Sequence, residues 1–121
     1  MSTLLCLKAG RDMPGAPSLD LSLVYTGIDV SGHATLSSPT EGSITFEVRG
    51  YVEKIVSGSN TTNLMHLEGG SLIQTGGRIV FAATLSADFG SGTANFTYYP
   101  ENNDPQRFEN EVVSRVSCPS A

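Results

Sequence analysis

The chain has 121 residues, of which 16 % are charged, and its formal net charge is −5 at pH 7. This length is ordinary for one domain, so we predict a single domain over residues 1–121. The seven Lys and Arg residues are scattered along the chain. Because phosphate backbones and anionic lipid surfaces are bound by clustered cations, we expect no nucleic-acid partner and no membrane partner.

The N-terminal stretch does not have the pattern of a secretory leader. The apolar core in Thr3–Ala9 is too short for one, and no basic residue precedes it. No stretch reaches the length of about 18 apolar residues that a membrane-spanning helix needs. We therefore expect a cytoplasmic protein, with export without a cleaved leader as the alternative.

Apolar and polar residues alternate along most of the first half of the chain, which is typical of β-strands with one buried face. A first strand is predicted at Thr3–Lys8, and the two prolines of Gly10–Pro17 then predict a rigid bend. Alternation resumes in three further predicted strands, which are Ser18–Tyr25, Ile28–Leu36 and Ser43–Val56.

Glycines interrupt this alternation in two different ways. Gly32 and Gly50 occupy inward positions, which predicts either the close approach of a facing aromatic ring or a bulge. Gly69-Gly70 is predicted to separate two weaker strands, Asn63–Leu67 and Ser71–Gln74.

Residues Gly76–Pro100 are predicted to form a hairpin at the centre of the fold. Its two arms meet at a glycine-rich corner, Asp88–Gly92, where the chain reverses. Phe108–Val116 is the last predicted strand, and no segment has the periodicity of a long helix. The residues predicted to face inward from the hairpin are Ile79, Phe81, Ala83, Leu85, Ala94, Phe96 and Tyr98.

Seven to nine strands with frequent turns are typical of an antiparallel two-sheet β-sandwich, which is the fold class we predict. A closed barrel is the second choice. In a sandwich the terminal strands are often neighbours, so a disulfide between Cys6 and Cys118 is geometrically compatible with the fold. A cytoplasmic location favours free thiols instead.

Few residues have the pattern of a reactive or metal-binding group. His33 and His66 are the only histidines, and no close spacing of His and Cys indicates a zinc site. We predict no metal, no cofactor and no catalytic residues. Candidate ligand contacts are the residues that could stack on a sugar ring or donate to it, namely His33, Tyr51, Tyr98 and Tyr99.

Two segments resemble a small bacterial family known as a domain of unknown function. The first contains Pro14-Gly15-Ala16-Pro17-Ser18-Leu19, a PGAP-x-L pattern near the N-terminus. The second is Ser91–Tyr98, which has the pattern SGTA-x-F-x-Y. The resemblance implies a compact β-sandwich and supplies no activity or catalytic residues.

The sequence therefore favours a non-enzymatic module that acts by surface contact, through self-association as a homodimer, a protein partner or carbohydrate binding. The alternative is a small hydrolase or metal-dependent enzyme that uses His33 or His66 with nearby carboxylates. That alternative requires a concave site in which a histidine and a carboxylate are within hydrogen-bond reach.

Overall fold

The computed structural model describes residues 3–10, 16–38, 42–72 and 77–118. In this part of the chain the only regular elements are β-strands, which confirms the prediction of an all-β protein. The eight strands are β1 (Thr3–Gly10), β2 (Ser18–Thr26), β3 (Asp29–Ser38), β4 (Gly42–Ser57), β5 (Asn60–Ser71), β6 (Arg78–Ser86), β7 (Ser91–Tyr99) and β8 (Gln106–Arg115).

The strands form a closed antiparallel barrel and not a two-sheet sandwich. Each strand pairs with the next one along the chain, and β8 then pairs with β1 to complete the ring. The predicted sandwich is therefore wrong, although the antiparallel pairing is confirmed. Alternating inward and outward residues are common to sandwiches and barrels. The feature that distinguishes the barrel from a sandwich here is the long-range pairing of β1 with β8, and this pairing cannot be predicted from local sequence patterns.

The interior of the barrel is filled with apolar side chains. Phe46, Phe81 and Phe96 are each no more than 2 % exposed. The ring centroids of Phe81 and Phe96 are 6.3 Å apart, and those of Phe96 and Phe108 are 4.8 Å apart. The predicted inward residues of the β6–β7 hairpin are all buried, so its alternation is confirmed. The hairpin is nevertheless not a centre, because each strand of the ring has two neighbours.

Inward glycines allow adjacent strands to approach closely. A Cβ atom added to Gly50 would overlap the backbone carbonyl of His66, and one added to Gly69 would overlap that of Glu47. The neighbour of Gly50 is therefore backbone, and the predicted facing aromatic ring is wrong. Gly69 likewise does not end a strand, because β5 runs unbroken from Asn60 to Ser71. Glycine at such positions lets a sheet curve tightly enough to close.

One end of the barrel is closed by the β6–β7 turn. Phe89, in a left-handed conformation with φ of 60°, packs its ring 5.5 Å from that of Tyr25. Asn63 is buried at the same end, and its side-chain amide donates to the backbone carbonyls of Ser86 (3.0 Å) and Ala87 (3.1 Å). These contacts connect the turn to β2 and β5.

The seam between β1 and β8 is short and is followed by a disulfide. Only three residue pairs join these strands, Leu7 to Arg115, Lys8 to Ser114 and Ala9 to Val113. The chain then continues beside β1, where the Val116 N–H donates to the Cys6 carbonyl at 2.9 Å. Cys118 is disulfide-bonded to Cys6, with their Cα atoms 5.3 Å apart, so the expectation of free thiols is wrong.

Several sequence predictions fall wholly or partly on residues that lie outside the described ranges. These are most of the Gly10–Pro17 bend with its PGAP pattern, the end of the predicted strand Ser71–Gln74, and Gly76. Within the described ranges, the structure contains no helix of the length and apolarity needed to cross a membrane.

Candidate binding groove on the outer face

A row of outward residues follows the wall of the barrel across five neighbouring strands, β4 to β8. Tyr51 on β4 pairs with His66 on β5, His66 with Ala82 on β6, and Ala82 with Asn95 on β7. The Asn110 N–H on β8 then donates to Asn95 Oδ1 at 2.7 Å. Side chains at paired positions project from the same face, so Tyr51, His66, Ala82 and Asn95 lie side by side, and the hydrogen bond places Asn110 next to Asn95.

The row lies in a groove of about 310 Å³. The groove is lined in part by small outward side chains, Ala82 in the row and Thr84 and Thr93 beside it, which project less than Tyr51 and His66. This volume is at the lower end of the range for small-molecule sites in proteins, about 300–1,000 Å³. The other outward residues that line the groove are Glu53 and Leu64.

An aromatic pair forms one wall of the groove. The rings of Tyr51 and His66 lie nearly parallel, with their centroids 5.6 Å apart and 28° between their planes. Tyr51 is 50 % exposed, and His66 is half-buried. The stacking restricts both side chains before any ligand arrives, which reduces the entropy lost on binding.

The opposite end of the groove contains a bulge and two amides. The register between β7 and β8 shifts between Ala94 and Phe96, and Asn110 has a φ of 56°. A bulge of this kind redirects side chains beside a site. Since Asn95 Oδ1 accepts the Asn110 N–H, the side-chain NH₂ of Asn95 is the group that this amide presents as a donor.

The groove therefore combines an aromatic surface with amides, threonine hydroxyls and one carboxylate. These groups can bind a polar ligand that also has an apolar face, whereas a metal ion requires a cluster of ligating side chains. Within the described residues, no group of three or more His, Cys, Asp or Glu side chains is placed to hold a metal ion.

The predicted contact residues are not brought together. Tyr51 lies in the groove, but Tyr98 is buried in the interior, where its ring is 5.7 Å from that of Phe46. The Tyr99 ring lies beneath the Arg78 guanidinium, 4.8 Å from centroid to Cζ. Tyr51 is thus the one member of the predicted set that lines the groove.

His33 lies on a different part of the outer face. It pairs with Ser22 on β2 and with Glu47 on β4, and Ser22 pairs with Cys6 on β1. A pocket of about 360 Å³ lies beside it, and the chain after β8 covers part of that pocket. Within the described residues, no hydrogen bond or ion pair shorter than 4.0 Å joins His33 or His66 to a carboxylate.

Sequence reasoning misses most of the groove. The alternation along β7 places Asn95 on the outward face but gives it no role, and no pattern singles out Asn110 or Thr84. The outward phase of each strand is visible in the sequence, but the register between strands is not. Alignment of Tyr51 with His66 and Asn95 depends on that register.

The family model described as Domain of unknown function (DUF1842) matches residues 3–104 of this chain. The chain belongs to this family. The match includes β1 to β7 in full, so it contains Tyr51, His66, Ala82 and Asn95, and it ends before Asn110. A comparison with curated proteins gives no match.

Proposed function

We propose that this barrel is a non-enzymatic module that binds carbohydrate by surface contact through the groove beside Tyr51. The observation that supports the proposal is the stacked Tyr51–His66 pair, which faces a concave floor with amides at its far end. An interior filled by phenylalanine rings leaves the outer face as the surface for contact.

The chemistry of a sugar ring matches these groups. A pyranose with equatorial hydroxyls has a face of C–H bonds that packs against an aromatic ring, while its hydroxyls both donate and accept hydrogen bonds. Tyr51 and His66 supply the ring surface, and Asn95 supplies amide donors. Thr84 and Thr93 add hydroxyls that serve in either role.

The other functional hypotheses from the sequence stay predictions. These are a protein or homodimer partner, a cytoplasmic location and a bacterial family marked by the PGAP-x-L and SGTA-x-F-x-Y patterns. Self-association through strand edges is less well supported than it would be for an open sheet, because closing a barrel pairs those edges. The enzyme alternative has no described histidine–carboxylate contact in its favour.

A glycan array followed by titration calorimetry tests the proposal. We expect the wild-type protein to bind neutral sugars, and we expect Tyr51→Ala to weaken binding about fivefold or more, because a central aromatic contact is worth more than about 1 kcal/mol. Tyr99→Ala is the matched control, since it removes another surface tyrosine that lies outside the groove. Its affinity should equal that of the wild type.

Two results would contradict the proposal. One is an array with no bound glycan at a protein concentration that detects millimolar affinity. The other is a Tyr51→Ala variant that remains folded, by its circular dichroism, and binds as tightly as the wild type.

A further inference from the structure

The chain after β8 forms a strap beside β1. The strap consists of residues 116–118, and two contacts attach it to the barrel, the Cys6–Cys118 disulfide and the hydrogen bond from the Val116 N–H to the Cys6 carbonyl at 2.9 Å. Within the described residues, the strap makes no other hydrogen bond. Val116 is 41 % exposed, so little apolar burial holds the strap in place. The disulfide is therefore its main attachment.

The strap separates two hollows on the outer face of the barrel. One hollow of about 450 Å³ lies on the Arg115 side, and the pocket of about 360 Å³ beside His33 lies on the other. Cys6, Val116 and Ser117 line both hollows, so the strap stands between them. Displacement of the strap would join the hollows into one open depression and would expose Cys6, which is 2 % exposed beneath it.

The two cysteines of the disulfide differ in access and in surroundings. Cys118 is half-buried and lines the 450 Å³ hollow, whereas Cys6 is almost fully buried, so a reductant reaches Cys118 more easily. Ser22 Oγ lies 3.8 Å from Cys6 Sγ, and the hydroxyl is the donor because a disulfide sulfur carries no hydrogen. The same hydroxyl can stabilise a thiolate on Cys6, which makes Cys6 the better leaving group.

We propose that the Cys6–Cys118 disulfide is a redox switch: a dithiol reductant cleaves it at Cys118, with Ser22 as donor to the leaving Cys6 thiolate, and the strap then leaves β1 while the barrel stays folded. A thiolate of the reductant attacks Cys118 Sγ, the S–S bond breaks, and Cys6 leaves as a thiolate that takes up a proton. The second thiol of the reductant then attacks the mixed disulfide, releases Cys118 as a thiol and completes a disulfide within the reductant. Two electrons and two protons pass from the reductant to the two cysteines.

The backbone pairing explains why only the strap is released. β1 keeps the eight residue pairs that join it to β2, β8 keeps its pairs with β7, and three pairs still join β1 to β8. The reduced protein is thus a closed barrel with an exposed thiol at Cys6, beside the Ser22 hydroxyl and the His33 imidazole on the next two strands. This switch is independent of the proposed sugar binding, because the groove lies on β4 to β8.

Trapping of the mixed disulfide tests the site of attack. The native wild-type protein is incubated with glutathione, a reductant with a single thiol, free thiols are blocked with iodoacetamide, and the adducts are mapped by mass spectrometry. We expect about tenfold or more adduct at Cys118 than at Cys6, because the sulfur of Cys6 is shielded. In concentrated urea the two adducts should form in similar amounts. Equal amounts in the native protein, or an excess at Cys6, would overturn the proposal.

The reactivity of Cys6 tests the release of the strap. In the wild type reduced with dithiothreitol, and in Cys118→Ser, we expect iodoacetamide to alkylate Cys6 within about tenfold of its rate in concentrated urea, because only a local opening is required. Circular dichroism should show that both proteins are folded. A rate more than about a hundredfold below the rate in urea would mean that the strap stays on β1, and the proposal would then be wrong. Unfolding of the whole reduced barrel would refute it as well.

Ser22→Ala tests the donor to the leaving thiolate. We expect dithiothreitol to reduce this variant about threefold more slowly than the wild type, since the Cys6 thiolate loses its hydrogen-bond donor. Ser18→Ala is the matched control, because it removes another outward hydroxyl from β2 that does not line the pocket beside His33. Its rate should equal that of the wild type. Equal rates in all three proteins would contradict the role that the proposal gives to Ser22.

Discussion

The β4–β5 ladder and the β1–β8 seam are the two extremes of strand pairing in this barrel. Twelve residue pairs join β4 to β5, whereas three join β1 to β8. β4 and β5 are connected by a two-residue turn, so their pairing closes only a short loop. β1 and β8 are at opposite ends of the described chain, so their pairing closes a loop of about a hundred residues at a higher entropic cost.

The difference explains where the disulfide and the groove are located. The Cys6–Cys118 bond lies beside the short seam, where the backbone pairing is weakest. The Tyr51–His66 pair lies on the β4–β5 ladder, which has the most residue pairs of any in the barrel. A binding site benefits from the rigid part of a scaffold, because misplacement of its side chains lowers affinity. Substitutions in the two regions test whether they differ in stability.

Loss of the disulfide should have the largest effect. In the chain-entropy model a cross-link between residues 112 apart stabilises the folded state by about 4–5 kcal/mol. We expect the Cys6→Ser/Cys118→Ser variant to lose this amount in urea unfolding. Reductant should destabilise the wild type equally and leave the double variant unchanged. A loss below about 1 kcal/mol would mean that the seam is held by its three pairs alone.

Gly50→Ala should disturb the long ladder. The added Cβ overlaps the His66 carbonyl, so β4 and β5 must separate, at a cost of about 1–3 kcal/mol. Gly70→Ala on β5 is the matched control, because among the described residues its Cβ meets nothing closer than the Gly77 carbonyl at 3.9 Å. Its stability should change by less than about 0.5 kcal/mol. Equal effects of the two substitutions would refute the close-approach argument.

Native-state hydrogen exchange compares the two regions in one protein. Opening of the seam breaks three residue pairs, whereas opening of the β4–β5 ladder breaks twelve. We expect the Val116 amide to exchange at least about tenfold faster than the amides of that ladder, which corresponds to about 1.4 kcal/mol. Reduction of the disulfide should increase the ratio of the Val116 exchange rate to the rates in the ladder. Equal protection of the seam and the ladder, with the disulfide either oxidised or reduced, would show that the barrel opens only as a unit.

The smallest effect is expected at Asp88, in the turn that contacts the end of β8. Its carboxylate accepts hydrogen bonds from the Ser86 hydroxyl (2.7 Å) and the Gly90 N–H (2.9 Å), and these bonds lower its pKa from the ordinary value of 3.8. A lowered pKa stabilises the folded state above pH 3.8, and this contribution is lost as the pH falls through the folded-state value.

Urea midpoints of wild type and Asp88→Asn, measured at pH 7 and at about pH 3, test this contribution. The wild type should be the more stable at neutral pH, and the difference should shrink on acidification. A difference that grows on acidification would contradict the assignment. The Arg115 guanidinium donates to the Asp88 backbone carbonyl at 3.2 Å. If Asp88→Asn loosens this turn, amide hydrogen exchange at the β1–β8 seam should also become faster.

Strand positions were predictable because alternation is a local property. The burial of Phe81 and Phe96 followed from their spacing alone, and the same holds for most strands. β5 was the exception, since Gly69-Gly70 has the composition of a turn. The role of Gly69 depends on its close approach to the Glu47 carbonyl of the neighbouring strand, and this contact cannot be predicted from the local sequence. Of the groove, only Tyr51 was among the predicted contacts, because exposure of a single aromatic residue is also a local property.

Strands with one apolar face could be predicted from the residue pattern, because the side chains of a strand alternate with a period of two. Closure of the strands into a ring, the bond between Cys6 and Cys118, and the row formed by Tyr51, His66, Ala82 and Asn95 are visible only in the folded chain. These features depend on which residues of different strands become neighbours. Strand curvature, inward glycines and the geometry of barrel closure set that register, and they act over the whole chain.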